Sequence, residues 1–174
     1  MADESEGPLM IGRLFFAAAF LSALGTGLVG GAFFAFSTFV MPALARIAPV
    51  QGIAAMQSIN VTVLRPPFML AMFGTAGLCV ALGLRALLRW TTPGSAWLLL
   101  GSAVYLAGTI IVTMAFNVPR NDALSALPTE GAAAAAFWPR FLAEWMSWNH
   151  VRTVTSLGAS ALLMVGMIVQ VLRR

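Results

Sequence analysis

Long uncharged apolar runs alternate with shorter polar stretches four times along the chain. From Leu14 to Val40 no residue carries a charge. A second run, Phe68 to Leu84, ends at Arg85 and Arg89. A third, Ala96 to Phe116, ends at Asn117 and Pro119, and a fourth, Thr153 to Leu172, lies between Arg152 and the Arg173-Arg174 pair. A membrane helix needs about 20 apolar residues. In lipid, backbone polar groups must be paired within the segment, which makes such runs helices. The pattern predicts spans over 14–40, 68–84, 96–116 and 153–172. The expected fold class is all-α, an integral membrane four-helix bundle forming one domain over 1–174. Two long loops on one side contain short amphipathic helices.

Composition agrees. Of 174 residues, 60% are hydrophobic and 9% charged, against roughly 25% charged in soluble domains. That excludes an ordinary soluble enzyme, a disordered chain and a disulfide scaffold. The net charge of +4 comes from ten arginines dispersed along the sequence, so no nucleic-acid partner is expected. Lysine is absent, which excludes Schiff-base chemistry. Cys79 and His150 are each the only residue of their kind. No disulfide can form within the chain, and no site with two histidine ligands, metal or haem, can either. The expected partner is the lipid bilayer; a hydrophobic small molecule is a partner only if the chain forms an apolar pocket.

The first run exceeds the 7–15 residues of a signal-peptide core, and Asp3, Glu4 and Glu6 before it are unlike a basic leader. It reads as a retained helix. Arginines divide five against five between the two sides. Arg13, Arg85, Arg89, Arg173 and Arg174 sit in the shorter segments, where the positive-inside rule applies best. This places both termini in the cytoplasm, with the bacterial inner (cell) membrane as the expected location.

Gly25-Thr26-Gly27-Leu28-Val29-Gly30 spells a dinucleotide fingerprint, but it lies inside a spanning helix rather than after a strand. The same segment offers Gly27 and Gly31 at a spacing that lets helix backbones approach, a candidate face for a homo-oligomer. Phe33, Phe34, Phe36 and Phe39 crowd the end of this span as packing or lipid-facing groups, or as the wall of an apolar pocket. Asn60-Val61-Thr62 fits a glycosylation sequon and carries little weight.

The loops hold the chemistry. The first, from about Pro42 to Pro67, contains a helix-compatible stretch, Val50–Val63, before the Arg65-Pro66-Pro67 break. The second, Asn117 to Arg152, opens with Asn117-Val118-Pro119-Arg120-Asn121-Asp122. Pro119 predicts a helix stop there, and Asn121-Asp122 suits a cap. Ala132 to Trp148 is amphipathic, with Pro139 setting a kink or a restart and Arg140 and Glu144 placed to pair at i,i+4. Trp145, Trp148, Asn149, Arg152 and Ser156 share a helical face, and His150 projects to a neighbouring one. Polar groups this near a membrane core normally face the bundle interior or a wet cavity. Imidazole exchanges protons near neutral pH, which makes His150 the candidate base. Glu144 is followed by Ser147 where a di-iron bundle needs histidine. No metal, flavin, nucleotide or haem signature is present.

Three segments together resemble the anthrone oxygenase-like family of membrane proteins: the glycine-rich span ending Phe36-Ser-Thr-Phe-Val-Met-Pro42, the Asn117-Val-Pro-Arg-Asn-Asp-Ala-Leu124 loop, and Trp148-Asn-His-Val-Arg-Thr153. The resemblance covers nearly the whole chain. It implies oxidation of an anthrone or similar lipophilic phenol by molecular oxygen as co-substrate, with no further cofactor expected. It implies His150, Arg152 and Asp122 as catalytic residues, with His150 the general base. Asn117, Asn121, Asn149, Trp145, Trp148 and Phe36 would bind substrate. His150 and Asp122 or Arg152 should then meet at the mouth of one cavity. The alternative is a non-catalytic assembly protein or small transporter. The placement of charges at predicted helix ends argues against ion coupling.

Overall fold

A computed structural model describes residues 6–173. Asp3, Glu4 and Arg174, which entered the reading of the leader and the orientation, lie outside the described residues. Among the described residues all regular structure is helical. Four helices are long and apolar enough to cross a membrane: Gly12–Leu44, Pro66–Leu88, Ser95–Ser125 and Ala132–Leu172. The protein is an integral membrane four-helix bundle. The first span packs along the fourth helix and the second span, and the third closes the square against the same two. A shorter helix, Pro49–Thr62, fills the first loop.

The bundle is built for lipid. Large apolar side chains such as Leu14, Phe20, Leu28, Leu84 and Val154 face outward. The interior takes small hydroxyl residues instead, including Ser22, Thr26, Ser102, Thr109, Ser156 and Ser160. Lipid tails are as apolar as leucine, so helices associate through close packing and hydrogen bonds. Thr109 Oγ1 lies 2.7 Å from Ser156 Oγ, and Ser160 Oγ donates to the carbonyl of Ala23 at 2.8 Å.

Glycines mark where backbones touch. A Cβ at Gly25 would overlap the Thr75 hydroxyl, and one at Gly108 would overlap Thr155. Gly30 meets Ser156 and Leu157. Gly27 packs toward Ser160 within the bundle, while Gly31 is exposed with open space around it. Gly108→Ala should therefore cost about 1–3 kcal/mol through overpacking, and Gly31→Ala should stay within about 0.5 kcal/mol. Unfolding of both variants by denaturing detergent checks this; equal midpoints would contradict it.

Each helix outruns the apolar stretch that predicted it. The second continues through Arg85 to Leu88, because a long arginine stem can lie along apolar surface; its guanidinium sits 4.0 Å from the Phe15 ring centroid. The third passes Pro119 and ends at Ser125, so the expected stop is corrected. A π-helical turn, Thr113–Asn117, ends two residues before Pro119. The wider turn leaves room for the ring, which a regular helix would press against the carbonyl four residues back. Pro42 stands in the same relation to the π turn Phe36–Val40. Pro139 causes no restart either. The amphipathic segment and the fourth run form one helix of 41 residues, held on either side of the proline by buried Trp138 and Phe141.

A second apolar cluster sits above the first. Met41, Ile53, Met56, Leu124, Trp138 and Phe141 join the loop helix, the end of the third span and the first half of the fourth helix into a cap. Gln57 Nε2 donates to the carbonyls of Leu124 and Leu127 at 2.9 and 3.0 Å, satisfying acceptors that a helix end leaves without partners.

Candidate functional site

Where bundle and cap meet, the fourth helix carries Trp145, Asn149, Arg152 and Ser156. Their spacing of four, three and four keeps them on one face, and all four are buried. That face looks at two π turns, Phe36–Val40 of the first span and Thr113–Asn117 of the third. Such turns are uncommon and cluster at functional sites.

Asn149 ties the region together. Its Nδ2 donates to the Phe33 carbonyl and to Ser37 Oγ, both at 2.8 Å. A carbonyl can only accept, so the amide orientation is fixed and Oδ1 faces Arg152. Arg152 Nη2 donates to that oxygen at 2.7 Å, and Nη1 makes a long contact of 3.5 Å to Thr113 Oγ1. The guanidinium lies 4.2 Å from the Phe33 ring centroid and 5.0 Å from that of Trp145. Thr153 and Ser37 complete the network, with hydroxyl oxygens 3.3 Å apart.

Arg152 is only 5% exposed, yet among the described residues no carboxylate pairs with it. Glu144 pairs instead with Arg120 and Arg140, in the cap. Arg152 Nε has no hydrogen-bond partner at all. Burying a cation without a counter-charge costs several kcal/mol, and ring faces and one amide oxygen offset only part of that.

The guanidinium borders a cavity of about 590 Å³, within the size range of small-molecule sites. Phe33, Phe36 and Trp145 form one wall and Met69, Met72 and Phe73 another, with the loop helix closing a third side. The Phe36 and Trp145 rings lie 5.8 Å apart. Trp145 is held by its Nε1–H, which donates to Asn121 Oδ1 at 2.8 Å. Among the described residues, Arg152 and Asp122 are the ionisable groups on the lining.

Of the residues singled out from sequence, Arg152, Asp122, Asn121, Trp145 and Phe36 line this cavity. Asn117 and Asn149 stand behind it. Asn117 is fully buried and its Nδ2 donates to the Trp145 carbonyl at 3.2 Å. Trp148 is elsewhere, stacked on Phe116 with centroids 3.6 Å apart.

The expected meeting of His150 with Arg152 or Asp122 is corrected. His150 is exposed and absent from the lining. Residues two apart on a helix point to nearly opposite sides, so burying Arg152 turns His150 outward. Asp122 also forms no ion pair with Arg152. Arg152 itself, expected at a helix end, lies deep within the continuous fourth helix.

Sequence reasoning passed over Ser37 and Thr113 and took Asn60 only as part of a glycosylation sequon. Ser37 and Thr113 are polar residues inside apolar runs, a signal that was available. Asn60 lines the cavity because the loop helix folds over it, which no local pattern announces.

A family model described as anthrone oxygenase matches residues 68–162, more than half of the chain. The matched stretch contains Thr113, Asn117, Asn121, Asp122, Trp145, Asn149 and Arg152. No curated protein and no solved structure matches the chain.

Proposed function

The chain belongs to the anthrone oxygenase family, and from that premise we propose that it oxidises a lipophilic aromatic ketone with molecular oxygen in the cavity beside Arg152. The observation that carries this reading is the buried, uncompensated guanidinium facing an apolar chamber. Such a site favours a ligand that becomes anionic while staying greasy. An anthrone does so: loss of a proton from its CH₂ group spreads negative charge onto the carbonyl oxygen. Arg152 would hold that developing oxyanion through its guanidinium, the preorganised stabilisation that usually contributes most to such reactions. Phe33, Phe36 and Trp145 would sandwich the flat rings.

With His150 turned away, Asp122, which lines the cavity, would take the proton. The electron-rich anion then passes an electron to oxygen, and the two radicals join into a C–O bond. The peroxide takes the proton back from Asp122, and the O–O bond of the hydroperoxide then breaks as the remaining hydrogen of that carbon leaves, releasing water and forming a second carbonyl. One substrate and one O₂ give one quinone and one H₂O. An assembly role, by contrast, gives no reason to bury an unpaired cation next to an empty-walled chamber.

Oxygen uptake by the purified protein with anthrone, corrected for the spontaneous reaction, tests this. Asp122→Asn should lower the rate about a hundredfold, and His150→Ala should leave it unchanged. Uptake no faster than the background would remove the oxygenase reading. Loss of activity in His150→Ala alone would return the base role to the imidazole.

A further inference from the structure

The chamber beside Arg152 is not sealed. Tyr105 of the third span, fully buried, donates its hydroxyl to the Met72 carbonyl of the second at 3.1 Å. Beyond that bond, on the loop side, the two spans have unequal lengths. The second begins at Pro66, only about 9 Å further along its axis, because Pro66 and Pro67 have no N–H with which to bond a preceding turn. The third runs on to Ser125, about 30 Å from Tyr105. Its flank Met114, Val118, Asp122 and Ser125 is therefore left largely without the second span beside it. A spacing of four, four and three keeps these residues on one face, and all of them border the chamber.

The end of the loop helix covers that flank only in part. Val61 and Leu64 from the loop, Phe73 of the second span and Met114 of the third each border the chamber and are each exposed. Residues that do both mark a mouth. Phe73 and Met114 belong to spanning helices, so what meets them outside is hydrocarbon rather than water. Asp122 and Ser125, also exposed on the lining, lie about two and three turns further along the third span, toward its polar end.

We infer that the chamber opens into the hydrocarbon between the second and third spans, through a mouth edged by Phe73 and Met114 under Val61 and Leu64, and that it takes aromatics bearing a long apolar chain that runs out through this mouth. The inference rests on the reading of the cavity given above and names the substrate class more closely. The ring system sits against Phe33, Phe36 and Trp145, which belong to the first span and the fourth helix across the chamber. The ring edge turned away from them faces the mouth. A wall closed on that side would reject a substituent there. An open apolar mouth admits one of any length, provided it is apolar; a charged or hydrogen-bonding group would be stranded in hydrocarbon without partners.

Binding in phosphatidylcholine nanodiscs tests this, with ligand concentrations counted per lipid so that partition into the bilayer does not enter. The probes are 9,10-anthraquinone and an anthraquinone with a dodecyl chain on one outer ring, both of which the natural chain should bind. Met114→Trp, which narrows the mouth, should lower the affinity for the chain-bearing probe relative to the plain one about tenfold, the scale on which overpacking is felt. Leu64→Trp should do the same and serves where the first variant does not fold. Leu100→Trp, on an exposed part of the third span away from the chamber, should leave the ratio as it is. Folded Met114 and Leu64 variants with the natural ratio overturn the inference and leave the mouth to bilayer lipid. A natural chain that binds the plain probe and refuses the chain-bearing one overturns it too; in both cases the aromatic cavity itself stands. A natural chain that binds neither probe overturns the reading of the cavity and the inference with it.

Discussion

Replacing Arg152 with methionine should lower anthrone-dependent oxygen uptake by a factor of about a hundred to a thousand, while the protein stays folded. Methionine fills much of the same volume and removes the charge that would meet the developing oxyanion. The expected effect on stability is small because two changes oppose each other. Asn149 Oδ1 loses the donor at 2.7 Å and is left buried, at about 1–3 kcal/mol. The desolvated guanidinium, which has no carboxylate partner among the described residues, disappears along with its own penalty. A net change within about 2 kcal/mol follows from those magnitudes. Arg152→Lys should recover little activity, since a compact ammonium cannot both reach Asn149 and present a second N–H to the cavity. Uptake rates beside thermal unfolding in detergent decide the matter. A methionine variant with the natural rate would show that the charge takes no part in the reaction.

Asn149→Ala should behave differently, losing stability and activity together. Its side chain makes three short hydrogen bonds, two to the first span and one to Arg152. Removal leaves the Phe33 carbonyl, Ser37 and the guanidinium short of partners, at a combined cost of about 2–5 kcal/mol. The guanidinium then loses the contact that aims it, so uptake should fall by at least about tenfold. The contrast is diagnostic: Arg152→Met separates rate from stability and Asn149→Ala does not. Unfolding midpoints within about 0.5 kcal/mol of the natural chain would show that Asn149 does not join the first span to the fourth helix.

The spans were legible because charge is excluded from them, and lipid imposes that exclusion residue by residue. Helix ends were not, because Pro119 and Pro139 have local meanings that the π turn before one and the buried aromatics around the other override. Arg152 and Asn149 were readable from the helical period. The same period, followed strictly, would have turned His150 away from them; its proton chemistry made it attractive where its geometry did not. Asp122, Asn121, Trp145 and Phe36 were found as members of polar or aromatic clusters. The place of Asn60 on the cavity wall was beyond reach, since it arises only when the loop helix closes over residues far along the chain.

The length of the fourth helix also sets a height. From Arg152 to Leu172 it rises about 30 Å, one thickness of a bilayer's hydrocarbon. With Leu172 at the hydrocarbon edge of one leaflet and the helix along the bilayer normal, Arg152 would stand at the hydrocarbon edge of the other. An aromatic ketone dissolved in that second leaflet already floats at the height of the cation. Sideways diffusion brings it there, and no passage through the middle of the bilayer is needed.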